Sequence, residues 1–388
     1  MRKGLKFYGF EKKVIGAALV VFAVVAVSAF SEGKTDEGGY SVTFMGELRP
    51  NGATTSHGMN RCGQVVGESG GVDGANEKAF AWKEGGQIEA LPGLPGGDYG
   101  QAFGVNDGGW IVGSSNTVTE LRAVLWTPDG KAKDMGALPG DSESQALGIN
   151  DRNEVVGFSS GPHGVRAFIW RKKEGMKELA GLPGSTYTEA FAINDGGDVV
   201  GESGSTTATH AVLWLHGKTI EDLGVLPGDQ TSRAAAINNR GQVVGYARGP
   251  HGNRGFIWSK SEGMQDLGLL PGGLESEGLA INDNGVVVGT AGDAGGFRAF
   301  LWTREGGIKD LNEMLPADRE VTLVGAFAIN DRGQIATYGG PLHAHVHHFN
   351  APRAYLLTPQ GASAIREGSV CKPPMGTSGG AERSMEGE

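Results

Sequence analysis

Three histidines alternate at His343, His345 and His347, with His348 beside the last. On an extended strand alternate side chains share a face, so two of these imidazoles would lie close enough to chelate a divalent metal. An exposed polar loop is the competing reading, since histidine is also common at surfaces. Five aspartates, Asp107, Asp151, Asp195, Asp283 and Asp331, each follow an asparagine and share one phase of a repeat, with Asn239 in the same slot. Carboxylates brought to one mouth would gather cations or a basic ligand. As turn formers, Asp and Asn would serve the backbone alone. Gly67-Glu68-Ser69-Gly70-Gly71 has the G-x-S-x-G spacing of serine hydrolases. That spacing works on a strained strand-to-helix elbow; no helix follows here, so Gly67 reads as a repeat glycine.

Six tryptophans, from Trp82 to Trp302, recur every 44 residues at the ends of apolar strands, which points to packing rather than to sugar platforms. Tyr99 and Trp110 interrupt the second repeat, and departures from a repeat are where a specific ligand site would be built. Cys62 and Cys371 are too few for a disulfide scaffold and badly spaced for zinc, but they could form one bridge. No catalytic set is recognisable, and no cofactor is implied beyond the divalent metal the histidines could hold.

The elements that carry these residues follow from self-similarity. Asn60, Asn106, Asn150, Asn194, Asn238, Asn282 and Asn330 are spaced by 46, 44, 44, 44, 44 and 48 residues. Each repeat reads as four short strands. The first ends in a small residue, an apolar residue and Asn, as in Ala192-Ile193-Asn194, and such small residues fit where strands converge on an axis. Asn-Asp-x-Gly makes a tight turn, a second strand carries Val-Val-Gly, and a variable loop precedes the Trp strand. A short, half-polar fourth strand leads into Leu-Pro-Gly. Four strands in about 44 residues is the size of one propeller blade. The segment from Val42 matches a fourth strand with no preceding three, and the last repeat has three strands with no clear fourth. The expectation is an all-β, seven-bladed β-propeller over residues 40–358, closed by pairing the N-terminal strand with the last blade. A longer period of 88 residues is nested inside it, as in Gly161-Pro162-His163-Gly164 and Gly249-Pro250-His251-Gly252.

The chain has 388 residues, with 68 glycines, 16 prolines and 39% hydrophobic residues, a composition of short strands and tight turns rather than of disorder. The net charge of −10, despite a basic start, disfavours nucleic acid as a partner. Residues 1–29 combine that basic start with an Ala/Val-rich run, Val14 to Phe30, closing on Val27-Ser28-Ala29. This order fits a secretory signal peptide cleaved after Ala29 or Ser31, and an uncleaved anchor facing outward is the alternative. Either way the repeats are expected outside the cytoplasm, secreted or periplasmic, where a disulfide can form. Residues 359–388 read as a flexible tail. A monomer is expected.

Asn-Asp-x-Gly-x-Val-Val-Gly, then x-Ala-Phe-x-Trp, then x-Asp-Leu-Gly-x-Leu-Pro-Gly resembles the HAF-repeat family of bacterial extracellular proteins, over about 310 residues. The His-Ala-Phe triplet is degenerate here: Lys78, Arg166 and Arg298 replace the histidine, and His210-Ala211-Val212 loses the phenylalanine. The resemblance implies a secreted repeat protein and brings no catalytic residues. Three functions stay open. The first is a binding scaffold for an extracellular glycan or protein. The second is a hydrolase- or lyase-type enzyme with its site near the central channel. The third is a structural surface protein.

Overall fold

A computed structural model of the chain describes residues 39–71, 77–205, 208–341 and 351–361. The expected export segment with Val14 to Phe30, the cluster His343, His345 and His347, and Cys371 lie outside the described residues. No free cysteine and no helix long and apolar enough to cross a membrane occur among the described residues.

Each repeat folds into an antiparallel meander, as in Tyr187–Ile193, Val199–Gly204, Thr209–Leu215 and Thr219–Gly224. The Asn-Asp-x-Gly turn closes the first hairpin. Asn194 N–H donates to Asp198 O at 3.0 Å and Gly197 N–H to Asn194 O at 3.0 Å, with Gly197 at φ +85°, a conformation glycine adopts without strain. The same four-stranded unit starts at Ala53, Gly100, Glu143, Thr231 and Glu275. One parallel bridge, Val165 to Tyr187, joins two neighbouring units into an eight-stranded sheet. In the last unit, Val321–Ile329, Ile335–Pro341 and Arg353–Pro359 are completed by Tyr40–Phe44. That strand runs antiparallel to Arg353–Pro359, with Tyr40 opposite Pro359 and Phe44 opposite Tyr355.

Every first strand carries a bulge, between Ala190 and Ala192 for example, and in all units but the last it lies where the strand meets the glycine of the second strand. A Cβ on Gly201 would lie 1.9 Å from the carbonyl oxygen of Glu189, and on Gly67 2.0 Å from that of Thr55. Close backbone approach therefore dictates glycine at Gly67. Ser69, two residues on, is 1% exposed; its hydroxyl pairs with Thr54 Oγ1 at 3.0 Å and accepts Leu48 N–H at 3.1 Å. Its counterparts Ser115, Ser159 and Ser203 hold the Leu-Pro-Gly turns by accepting from Leu94, Leu138 and Leu182 N–H.

The core lies between neighbouring sheets. Val156, Ala167 and Ile169 of one unit pack with Ala190, Val199, Val212 and Trp214 of the next. Trp126 and Trp214 are fully buried, and their indole N–H groups donate to the carbonyls of Pro92 and Ala180 at 2.7 Å. Each such ring removes enough apolar area from water to contribute roughly 2 to 3 kcal/mol, which explains their strict period. The first and last repeats share one such cluster, with Phe80 and Trp82 packed against Ala336 and Leu356.

The degenerate first place of the Ala-Phe triplet has a physical explanation. Arg166 pairs with Glu178 at 2.7 Å, His210 with Asp222 at 2.9 Å, Arg254 with Asp266 at 3.0 Å and Arg298 with Asp310 at 3.5 Å. In each case a basic third-strand residue clips an acidic fourth-strand residue twelve positions on. The slot selects a basic side chain whose nitrogen reaches the acidic residue, and histidine is one way to fill it.

Candidate functional site

At the turn end of the axis the asparagines form a hydrogen-bonded ladder. Asn60 Nδ2 donates to Asn106 O at 3.0 Å, Asn106 to Asn150 O at 3.0 Å, Asn150 to Asn194 O at 3.0 Å and Asn194 to Asn238 O at 3.3 Å. Asn238 and Asn282 continue it at 3.0 Å each, and Asn330 donates to Asn60 O at 3.5 Å, returning the ladder to its start. Each Oδ1 meanwhile accepts from N–H groups of its own turn, as Asn60 does from Cys62 and Gln64. The amide supplies both the acceptor and the donor that this position uses, whereas an ionised aspartate supplies only acceptors.

The candidate aspartates run the reciprocal bond. Asp107 Oδ1 accepts Arg61 N–H at 3.0 Å, Asp151 accepts Asp107 N–H at 2.9 Å and Asp195 accepts Asp151 N–H at 2.9 Å. Asn239 does the same for Asp195, Asp283 for Asn239 and Asp331 for Asp283. An acceptor oxygen is all that this bond needs, which is why Asn239 fits. In the first repeat the slot holds Arg61, whose guanidinium bonds Asp107 Oδ2 at 2.5 Å and Asp151 Oδ2. Asn239 Nδ2 reaches Asp195 and Asp283. Burial, with repulsion from Asp107 and Asp195, pushes the Asp151 carboxyl up, against the Asp107 backbone N–H that it accepts and the pull of Arg61. Together these residues line a cavity of about 180 Å³, whose wall is the apolar layer Met59, Val105, Ile149, Ile193, Ile237, Ile281 and Ile329. Its polar groups are largely spent on one another, and no metal-holding group of His, Cys, Asp or Glu occurs among the described residues.

Trp110 and Tyr99 are separated. Trp110 stands four residues after Asn106, where Glu154, Gln242 and Gln334 accept from their own turn asparagines. It cannot accept, and Asn153 of the next repeat replaces it, taking Asn106 Nδ2 at 2.7 Å. The indole packs at the edge of the cluster around Val112 and Ile149. Cys62 sits in the first of these turns and is engaged in a bond. Tyr99 lies at the opposite end, where the variable loops leave the sheets, and burial, then Glu68 and Glu77, raise its phenol.

That loop end brings together residues which the repeat pattern does not single out. The position five before each turn Asn faces the residue one strand over: Thr55–Glu68, Gln101–Ser114, Gln145–Phe158, Glu189–Glu202, Arg233–Tyr246, Glu277–Thr290 and Gly325–Tyr338. The Arg233 guanidinium stacks 3.8 Å over the Phe191 ring of the preceding repeat. Tyr187 donates to Glu202 Oε1 at 3.3 Å, and Asn253 donates to Glu277 at 2.5 Å. Burial pushes Glu189 up to about 7, with Arg233 pulling it down and Glu202 pushing further. Burial also raises Glu202 and Glu277, each opposed by Arg233 among other groups. Tyr187 stands 88 residues after Tyr99 and opens the first strand of its repeat, where Tyr99 immediately precedes its own. The nested 88-residue period was the signal that could have paired them. Across the axis, His57 Nε2 meets Glu68 Oε2 at 3.3 Å, with its ring 5.2 Å from Phe103 and 6.3 Å from Phe327.

No family model matches the chain, and no curated protein matches its sequence. Solved structures match in shape. A streptogramin B lyase is 12% identical at a TM-score of 0.52, covering 83% of this chain and 98% of that one. A virginiamycin B lyase from Staphylococcus aureus is 11% identical at 0.54, covering 83% and 99%. An oligogalacturonate lyase from Vibrio parahaemolyticus is 10% identical at 0.53, covering 83% and 98%. At these identities the likeness shows the fold alone: the chain is an all-β protein of the β-propeller kind.

Proposed function

We propose that the chain is a seven-bladed β-propeller of the HAF-repeat type, closed by Tyr40–Phe44, and that it serves as an exported binding scaffold. Its ligand, a glycan or a protein, enters at the loop end of the axis. Closure is supported by the pairing of Tyr40 with Pro359, by the return of the asparagine ladder from Asn330 to Asn60, and by the cluster shared between first and last repeats. Completing the last unit with Tyr40–Phe44 gives Arg353–Pro359 an outer partner, so that its edge is not left unpaired.

The observation that carries the binding reading is a contrast between the two ends. At the turns the repeats are nearly identical, and their polar groups bond one another. At the loop end one cross-strand position holds different residues in successive repeats, and Tyr187, Glu189, Glu202, Arg233, Tyr246 and Glu277 meet there. A framework needs repetition; a ligand site needs difference, with polar and aromatic groups converging. Binding to a glycan array and capture of defined proteins from culture medium test this, using the parent and a Tyr187→Ala/Tyr246→Ala variant. Ligands that the parent holds and the variant loses are expected; a blank parent at micromolar concentration counts against the reading.

A second reading, an enzyme, is favoured by Glu189: a carboxyl held near 7 beside a second carboxyl is suited to general acid–base work. Turnover of polysaccharide or ester substrates that Glu189→Gln abolishes would select it.

A further inference from the structure

We propose that the turn-end mouth of the axis is covered by the chain's own segment 362–375, held there by a disulfide between Cys62 and Cys371 that sets Lys372 beside Asp331. This mouth lies opposite the loop-end site, and its cover does not depend on what binds there. A bond already in place fixes the location. Cys62 is disulfide-bonded, and the chain has one other cysteine, Cys371. Cys62 is half-buried in the first Asn turn, directly after Arg61, which lines the mouth. Bonded cysteines have Cα atoms about 4.4 to 6.8 Å apart, so the residues flanking the partner sulfur are brought to the mouth as well.

The route of the chain agrees. Arg353–Pro359 runs toward the turn end, where Leu357 pairs with Ile335, the first strand residue after the last Asn turn. Gln360 N–H then donates to Gly39 O at 2.9 Å, and a Cβ on Gly333, within that last turn, would lie 3.2 Å from Pro359 Cγ. The last turn touches the first: a Cβ on Gly63 would lie 2.7 Å from Arg332 Nη2. Gly361 is therefore beside the turns, ten peptide links before Cys371. Ten links span at most about 33 to 36 Å, far more than the step between adjacent repeats.

Charge and hydrogen bonding supply two further arguments. Five aspartates and one arginine line the mouth, an excess of four carboxylates when all are ionised. Segment 362–375 carries Arg366 and Lys372 against Glu367, and Lys372 directly follows the bridging cysteine. Arg61 already serves Asp107 and Asp151, whereas Asp331, across the last junction, is in no ion pair among the described residues. An ammonium delivered beside Cys62 meets that unpaired carboxylate. The aspartate series is also open at this junction. From Arg61 to Asp283 each turn N–H donates to the side chain of the next repeat. The Asp331 N–H would donate to the residue in the Arg61 slot, and arginine offers no acceptor. A backbone carbonyl of a segment laid across the junction can fill that place.

Carbodiimide coupling, which joins an amine to a carboxylate in contact with it, tests the cover on the full chain prepared without reductant and read by peptide mass spectrometry. The expected result is a monomer with Cys62 linked to Cys371 and with Lys372 coupled to Asp331. Cys371→Ser, a change outside the described residues, should reduce the coupling by about tenfold or more, because the bond supplies the local concentration. Asp331→Asn keeps the acceptor that Asp283 N–H uses and should remove the coupled peptide while leaving the disulfide. A free Cys62 thiol overturns the proposal, and so does a dimer joined through Cys62, which would make a second copy the occupant. An intact Cys62–Cys371 bond overturns the cover if Lys372 is not coupled to Asp331, or is coupled equally well in Cys371→Ser.

Discussion

Glu189 and Glu202 stand directly opposite each other on adjacent antiparallel strands, with the guanidinium of Arg233 beside them from the next repeat. One cation cannot neutralise two half-buried carboxylates, so burial leaves Glu189 titrating at about 7 against an ordinary 4.5. The folded state thus holds a proton that the unfolded chain has released. Between about 4.5 and 7 stability falls as pH rises, and above 7 the loss is complete. Glu189→Gln, which keeps the size and removes the charge, is expected to match the parent at pH 4.5 and to exceed it by about 1 to 3 kcal/mol at pH 8 in urea unfolding. A variant less stable than the parent at pH 8 would mean that the carboxylate is needed by Arg233.

Glu154 should behave in the opposite sense. Burial raises its pKa, but hydrogen bonds from Arg171, Asn150 and Arg152 outweigh burial and hold it at about 2. Its stabilisation is present above about 4.5 and is lost as pH falls through 2. Glu154→Gln should cost about 1 to 2 kcal/mol at pH 7, allowing for the exposed Arg152, and nothing near pH 2. Paired unfolding curves for the two Gln variants should diverge in opposite directions across pH.

The turn end was legible in the sequence because most positions there are constant. Asn at a fixed spacing, Asp or Asn after it and Gly two residues further declare a repeated turn, and the structure adds only that each amide reaches into the next repeat. The loop end was hidden for the converse reason. Thr55, Gln101, Gln145, Glu189, Arg233, Glu277 and Gly325 occupy one position with no residue type common to all seven, so a search for periodicity passes over them. Tyr99 was visible as a departure. Trp110, the other departure, lies at the far end of its hairpin, where a missing acceptor is replaced by Asn153. Aligning the repeats and asking which column varies would have exposed the loop-end cluster; the pairing of Glu189 with Glu202 also needs the bulge at Ala190/Ala192, which spacing alone does not reveal.

The ladder predicts a specific intolerance. Asn194 is 6% exposed and donates to Asn238 O at 3.3 Å while accepting Asp198 N–H at 2.9 Å. Asn194→Asp retains the acceptor and replaces the donor with a charged oxygen facing a carbonyl. A loss of about 2 to 4 kcal/mol at pH 7 is expected, shrinking near pH 3 where the carboxyl can protonate and donate. A cost below about 0.5 kcal/mol would show that the ladder contributes little to cohesion between repeats.

Removing residues 40–49 tests closure. The deletion strips the outer strand from Arg353–Pro359 and takes Tyr40 and Met45 from the cores they occupy. An exposed edge and two opened clusters should lower the melting temperature by more than about 10 °C or cause aggregation. Melting within a degree or two of the parent would favour an open array.

Arg61 breaks the aspartate series at one position and supplies its counter-charge. In its slot a side-chain acceptor would complete the reciprocal bonding; arginine has none, and its guanidinium turns to Asp107 and Asp151 instead. Asp151 is the more exposed to the consequence, because burial and the neighbouring carboxylates already raise it. Arg61→Ala should therefore destabilise the protein by about 1 to 2 kcal/mol at low ionic strength, and most of that loss should return in 1 M salt, where the Debye length of about 3 Å screens the carboxylates from one another. Arg61→Asn removes the same charge but restores an acceptor at the junction between the last and first repeats, so it should be more stable than Arg61→Ala at every salt concentration. Equal stability of the two would mean that Arg61 acts through charge alone and that the last junction does not need the reciprocal bond made at the other six.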